Sequence, residues 1–181
     1  MKKIFLLLLL SPILSFAQKD STISYTEVVT TDSASKDFLY ARAKNWFNAT
    51  FVAGSDALQI EDQDQGELSA KGIFSTYVGY RSARGRSTYE MKYKFKVTIL
   101  VKDNRYKYAI TDIDNFISAD GNVIPFRLLN SSNHTSVKWP GVKPAKVDEE
   151  YVTAKKNVDA KVQELINSIK DAMKKRISAN F

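Results

Sequence analysis

From Tyr89 the chain alternates with a period of two. Tyr89, Met91, Tyr93, Phe95, Val97, Ile99 and Val101 fall on one beat, and Glu90, Lys92, Lys94, Lys96, Thr98, Leu100 and Lys102 on the other. Successive side chains of a strand point to opposite faces, so the pattern predicts a long strand with one face in a core and the other in water. Asp103-Asn104 is a two-residue loop of a kind that tolerates positive φ, and it turns the chain back at Arg105. The resulting register sets Val101 against Tyr106, Ile99 against Tyr108 and Val97 against Ile110, apolar on apolar throughout. After Ile110 the beat slips at Ile113, which predicts a β-bulge or strand end near Thr111-Asp112.

Elsewhere the period is three to four. Tyr151, Ala154, Val158, Val162, Leu165, Ile169, Met173 and Ile177 mark one face of a helix from Asp148 to Ile177. At 1.5 Å per residue it would be about 45 Å long. Asp148, Glu149 and Glu150 open it and Lys174, Lys175 and Arg176 close it, complementing the helix dipole at both ends. A shorter helix carries Phe38, Leu39, Ala43, Trp46 and Phe47 on its inner face, after N-cap candidates in Thr31 to Ser35 and before Gly54 and Asp56; Trp46 reads as a core residue. The β-branched stretch Ile23 to Thr30 reads as a first strand, and Leu58-Gln59-Ile60 as one that turns through Asp62 to Gly66 and returns as Glu67 to Val78. Residues 118–146 have no period and contain Gly121, Pro125, Pro140, Gly141 and Pro144, so they form a long connection with a short strand at Val123 to Phe126. The expected architecture is α+β, in the order β-α-β-β-β-β-α. Residues 18–146 form one domain on which the helix of 147–181 packs.

Residues 1–17 stand apart. Lys2 and Lys3 precede an apolar run from Ile4 to Leu10, Pro12 breaks it, and Ser15-Phe16-Ala17 supplies small residues where a signal peptidase cuts. This predicts export to the periplasm or beyond, with cleavage near Ala17-Gln18. The apolar stretch is too short to remain as a membrane anchor, which needs roughly 20 residues. The chain has no cysteine, which excludes thiol catalysis and cysteine-held metal sites. Its formal charge is +7, of which Lys2 and Lys3 supply two units, so the placement of the remaining excess matters more than its size.

Several segments also carry a likeness. Lys36-Asp37-Phe38-Leu39-Tyr40, Lys44-Asn45-Trp46-Phe47, Gly66 to Gly72 and Val101-Lys102-Asp103-Asn104-Arg105-Tyr106-Lys107-Tyr108 lie within residues 25–117. In these the chain resembles a family of exported proteins of unknown function described as having a TATA-binding-protein-like fold. The resemblance implies one curved antiparallel sheet with helices on one side, and it carries over no catalytic residue.

If the helices cover the face that bears Tyr93, Phe95 and Val97, the other face displays Lys92, Lys94, Lys96 and Lys102, joined by Arg105 and Lys107 from the partner strand. Arg81, Arg84 and Arg86 lie in a Gly-punctuated stretch, Gly79 to Arg86, read as a basic loop beside this stripe. Six cations on two neighbouring strands make an electrostatic footprint for an anionic partner, such as an envelope component or an acidic protein surface. A solvated outer face whose lysines discourage sheet-to-sheet pairing is the plainer reading of the same residues. Nucleic acid is not the expected partner, because export removes it and the stripe shows no interleaved aromatics for stacking. A lipid or small apolar ligand held between the long helix and the sheet, against Tyr89, Tyr93, Phe95, Tyr106 and Tyr108, is the alternative. No catalytic constellation, cofactor or metal site is expected. His134 stands alone, no G-x-S-x-G motif is present, and Glu61, Asp62, Asp64 and Glu67 lack EF-hand spacing. Only Asp112 and Asp114, two apart at a strand end, hold a remote place for a hydrolase.

Overall fold

The computed structural model describes residues 23–51, 58–82, 85–116 and 144–174, and for 78–82, 85–87, 89, 115, 116 and 144–151 the backbone alone. The leader 1–17, Gly54, Asp56, Arg84, residues 118–143 with His134 and the Val123 to Phe126 strand, and positions 175–177 of the long helix lie outside the described residues. The elements are β1 (Tyr25–Thr30), α1 (Lys36–Thr50), β2 (Leu58–Asp62), β3 (Glu67–Ser82), β4 (Gly85–Lys102), β5 (Arg105–Phe116) and α2 (Pro144–Lys174). They follow the expected order and form one antiparallel sheet, β1-β5-β4-β3-β2.

The register of the β4–β5 hairpin is the one the alternation dictates, with Val101 opposite Tyr106, Ile99 opposite Tyr108 and Val97 opposite Ile110. The predicted irregularity also occurs. Pairing shifts between Lys94 and Lys96, and Asp112 takes φ 54°, the left-handed conformation of a bulged residue. Both helices cover the face bearing Tyr93, Phe95, Val97, Ile99, Val101, Tyr106, Tyr108 and Ile110, all buried. Trp46 is buried as expected, and its indole N–H donates to Ser168 Oγ at 3.1 Å, tying α1 to α2. On β3 the inward positions include the small Ala70 and Gly72, which leave room for the ring of Phe51 at the end of α1. A Cβ on Gly72 would lie 2.6 Å from Phe51 Cε1 and 2.7 Å from Phe95 Cζ.

Two boundaries differ from the sequence reading. Gly79 to Ser82 and Gly85-Arg86 are strand, not loop, since β3 runs to Ser82 and β4 starts at Gly85, with Tyr80 opposite Ser87 and Arg81 opposite Arg86; Ala83 and Arg84 lie outside the described residues. Antiparallel pairing along two long strands outweighs the local glycine and arginine composition there. The long helix begins at Pro144, not Asp148, because proline suits the first helical position, where no backbone N–H is needed. Asp148, Glu149 and Glu150 therefore fall in the second turn, and the first turn holds no acidic residue.

The β4–β5 turn does more than reverse the chain. Asn104 adopts φ 60°, its backbone N–H donates to Ala34 O at 2.8 Å, its carbonyl accepts from Thr31 N at 2.9 Å, and its Oδ1 accepts from Ala34 N at 3.1 Å. Asp103 Oδ1 accepts the N–H of Lys36 at 2.7 Å, and Ser35 Oγ accepts that of Phe38 at 3.3 Å. Two otherwise orphaned donors at the start of α1 are thus satisfied, one locally and one by the hairpin turn. This clasp fixes where β1 ends and α1 departs.

Candidate functional site: the open face of the sheet

With both helices on one side, the register decides what the other side presents. Lys92, Lys94, Lys102, Arg105 and Lys107 are exposed there and Lys96 is half-exposed, so these six predicted residues share one face. Arg81 and Arg86 lie opposite each other near the end of the β3–β4 ribbon, with only their backbone described, and Arg84 is outside the described residues.

Strand β3 adds residues that the sequence reading missed. Lys71 is exposed directly opposite Lys96, and Ile73 and Tyr77, each 63 % exposed, pair with Lys94 and Glu90. The face is therefore not without aromatics, contrary to the expectation drawn from β4 and β5 alone. Val28 on β1, opposite Lys107, is 58 % exposed on the same side. The alternation in β3 is hard to see because its inward beat carries Ala70 and Gly72, so parity is set only by its pairing with β4.

The cations are not equally compensated. Lys92 lies 4.0 Å from Glu90, and Lys94 lies 3.5 Å from Asp114. Lys71, Lys96, Lys102, Arg105 and Lys107 make no ion pair with any described residue. Lys71 faces Lys96 and Lys102 faces Arg105 across neighbouring strands, an arrangement of like charges that costs stability.

Behind the sheet two polar clusters are paired, while Tyr40 OH and Thr76 Oγ1 are buried without a partner. Tyr25 OH donates to Asp159, which also accepts from Lys155 Nζ at 2.7 Å, joining β1 to α2. Burial, then the bond to the Asp159 carboxylate, pushes the Tyr25 phenol well above its usual range. Tyr108 OH donates to Glu27, whose carboxylate also receives Lys170 Nζ at 2.7 Å. The bond from Lys170, then that from Tyr108, holds the Glu27 carboxyl below the usual carboxylate range. Tyr106 is pushed up to about 12, mainly by burial and then by the charge of Glu27.

Other candidates fare differently. The bulge sets Asp112 out of the alternation, exposed, while Asp114 pairs with Lys94, so the two carboxylates do not make a matched pair. Tyr93, Phe95, Tyr106 and Tyr108, expected to line a cavity under α2, are at most 6 % exposed and pack into the core; the side chain of Tyr89 is not described. A cleft of about 240 Å³ opens between α2 and the sheet beside Phe74, Phe95 and Leu165, and a larger one lies where β1, α1 and the end of α2 meet. Among the described residues no group of three or more His, Asp or Glu side chains converges to hold a metal ion, and no helix is long and apolar enough to cross a membrane.

Two solved structures resemble this chain in fold. A DUF4468 family protein from Bacteroides ovatus superposes with a TM-score of 0.64 over 87 % of this chain and 89 % of its own, at 9 % identity. A TBP-like protein from Parabacteroides distasonis does so with a TM-score of 0.59 over 84 % and 92 %, at 16 % identity. At such identities the likeness is one of fold alone. No curated protein matches the chain significantly. Residues 25–115 match the family described as a domain of unknown function, DUF4468, with TBP-like fold, and the chain belongs to that family.

Proposed function

We propose that the protein is a non-enzymatic binding module of the cell envelope, exported by the leader at residues 1–17, whose open sheet face holds an anionic partner. The observation that carries this reading is the pair of like-charged cross-strand contacts, Lys71 with Lys96 and Lys102 with Arg105. Cations set directly against cations cost stability in the free protein, whereas an anion lying between them turns that repulsion into attraction. Ile73, Tyr77 and Val28, exposed among the lysines, add apolar contact, so the surface suits a partner with both charge and hydrocarbon or aromatic groups.

The test is charge reversal. Lys92, Lys94, Lys96 and Lys107 are replaced together by Glu, and retention on isolated envelope fractions is compared at low and high salt. Loss of retention in the variant, and loss for the parent at high salt, is the expected result. Unchanged retention of the variant would sink the idea.

A further inference from the structure

The cleft at the meeting of β1, α1 and α2 has a volume of about 770 Å³, within the roughly 300–1,000 Å³ of small-molecule sites. Its lining is of two kinds. Among the described residues, Val29 and Phe38 give it its open apolar surface, with the buried Tyr106 and Met173 behind them, and Arg42, Lys170 and Lys174 give it three cations against the carboxylate of Asp32.

Arg42 is the unusual member. Its Nη1 donates to Met173 O at 2.6 Å, closing the C-terminal end of α2, and its guanidinium carbon stacks 4.3 Å from the Phe38 ring centroid. It makes no ion pair with any described residue, and its Nε is buried without a hydrogen-bond partner. Thr31, which also lines the cleft, has a buried and unpartnered Oγ1. Both atoms are sealed from solvent, as are the unpartnered Tyr40 OH, Ser69 Oγ and Thr76 Oγ1 elsewhere, so what meets a ligand here is the rest of the Arg42 guanidinium, a cation without a counter-ion among the described residues. At the lip, Ser33 is held at φ 52°, a conformation that costs a non-glycine residue energy and clusters at ligand sites. Lys170 is already committed to Glu27, which leaves Arg42 and Lys174 as the cations open to a ligand.

We propose that this cleft binds a small amphiphile with a carboxylate or phosphate head, the head meeting Arg42 and Lys174 and the hydrocarbon lying along Val29 and Phe38. The site shares no residue with the open sheet face, so either proposal can fail without the other.

The experiment is a titration of the isotope-labelled protein with decanoate, decyl phosphate and the neutral decanol, read by amide chemical shifts. The expected result is saturable one-to-one binding of both anions, with shifts concentrated in residues 29–34, 38–42 and 170–174, and much weaker binding of decanol. Replacing the exposed Lys174 with Glu should weaken decanoate about fivefold or more, the scale expected for reversing one charge beside a partly desolvated anion. Replacing Lys96 with Glu should leave it unchanged. Decanol binding as tightly as decanoate, shifts centred on the open sheet face, or an indifferent Lys174→Glu variant would overturn the proposal.

Discussion

Replacing Lys71 with Glu should stabilise the free protein while weakening its hold on an anionic partner. Lys71 lies directly opposite Lys96, both on the open face, and neither has an ion pair among the described residues. Two like unit charges about 6 Å apart in a water-like medium repel by about 0.7 kcal/mol, and reversing one of them converts that cost into a gain of similar size. Salt screening and side-chain freedom trim the sum to about 0.5–1 kcal/mol. In a domain of about 150 residues this raises Tm by about 1–4 °C. The assay is thermal unfolding followed by circular dichroism at 20 mM and at 1 M salt, on the single variants Lys71→Glu and Lys96→Glu and on the double variant. Each single change should raise Tm at low salt, the gain should shrink at 1 M, and the double variant should fall back towards the parent, since two carboxylates then face each other. A Tm that drops in both single variants, or a gain indifferent to salt, would show that the lysine pair is not repulsive in the free protein.

Three further outcomes follow from the packing. Asn104→Ala removes the acceptor for Ala34 N–H and forces alanine to φ 60°, so urea unfolding should show a loss of about 2–4 kcal/mol, with Asn104→Gly losing clearly less. Gly72→Ala places a methyl 2.6 Å from Phe51 and 2.7 Å from Phe95, which should cost about 1–3 kcal/mol and shift the ring resonances of both phenylalanines. Glu27 has a lowered carboxyl pKa in the folded state, so its contribution is present above the unfolded value and fades as pH falls through the folded one; Glu27→Gln should flatten the stability profile below about pH 4.5 and leave its shape at neutral pH alone. A variant profile that still falls as steeply as the parent's in that acid range would refute the assignment.

The strands and the hairpin register were legible because β4 carries a full alternation, and a one-residue slip would turn every lysine into the core. The bulge was legible for the same reason, as a beat lost between Ile110 and Ile113. The core face of α2 was legible nearly to the residue, although Ile166 is buried where the period favoured Leu165, which is only half-buried. What could not be read is what depends on distant chain. Asn104 looks like a turn residue, and nothing local says that its amide caps a segment 70 positions earlier. Lys71, Ile73 and Tyr77 escaped because the small inward residues of β3 hide its parity until β4 is laid beside it. In the cleft, Arg42 reads in sequence as one more solvated cation on α1. Its stacking on Phe38 is local, one turn back on α1, but its bond to the end of α2 comes from a helix more than 130 positions away.

The clasp at Asn104 also orders events in time. β3, β4 and β5 are joined by consecutive hairpins and can zip from their turns, whereas β1 must find β5 across a wide separation, with Tyr25 meeting Ile110. Contacts closed over long stretches of chain form late, since loop entropy is lost before they are rewarded. β1 and the start of α1 are thus a late-docking edge, latched when Asn104 receives Ala34. Weakening the latch should quicken unfolding far more than it slows folding. A chain without a single disulfide would then owe its lifetime in the native state to one asparagine in a two-residue turn.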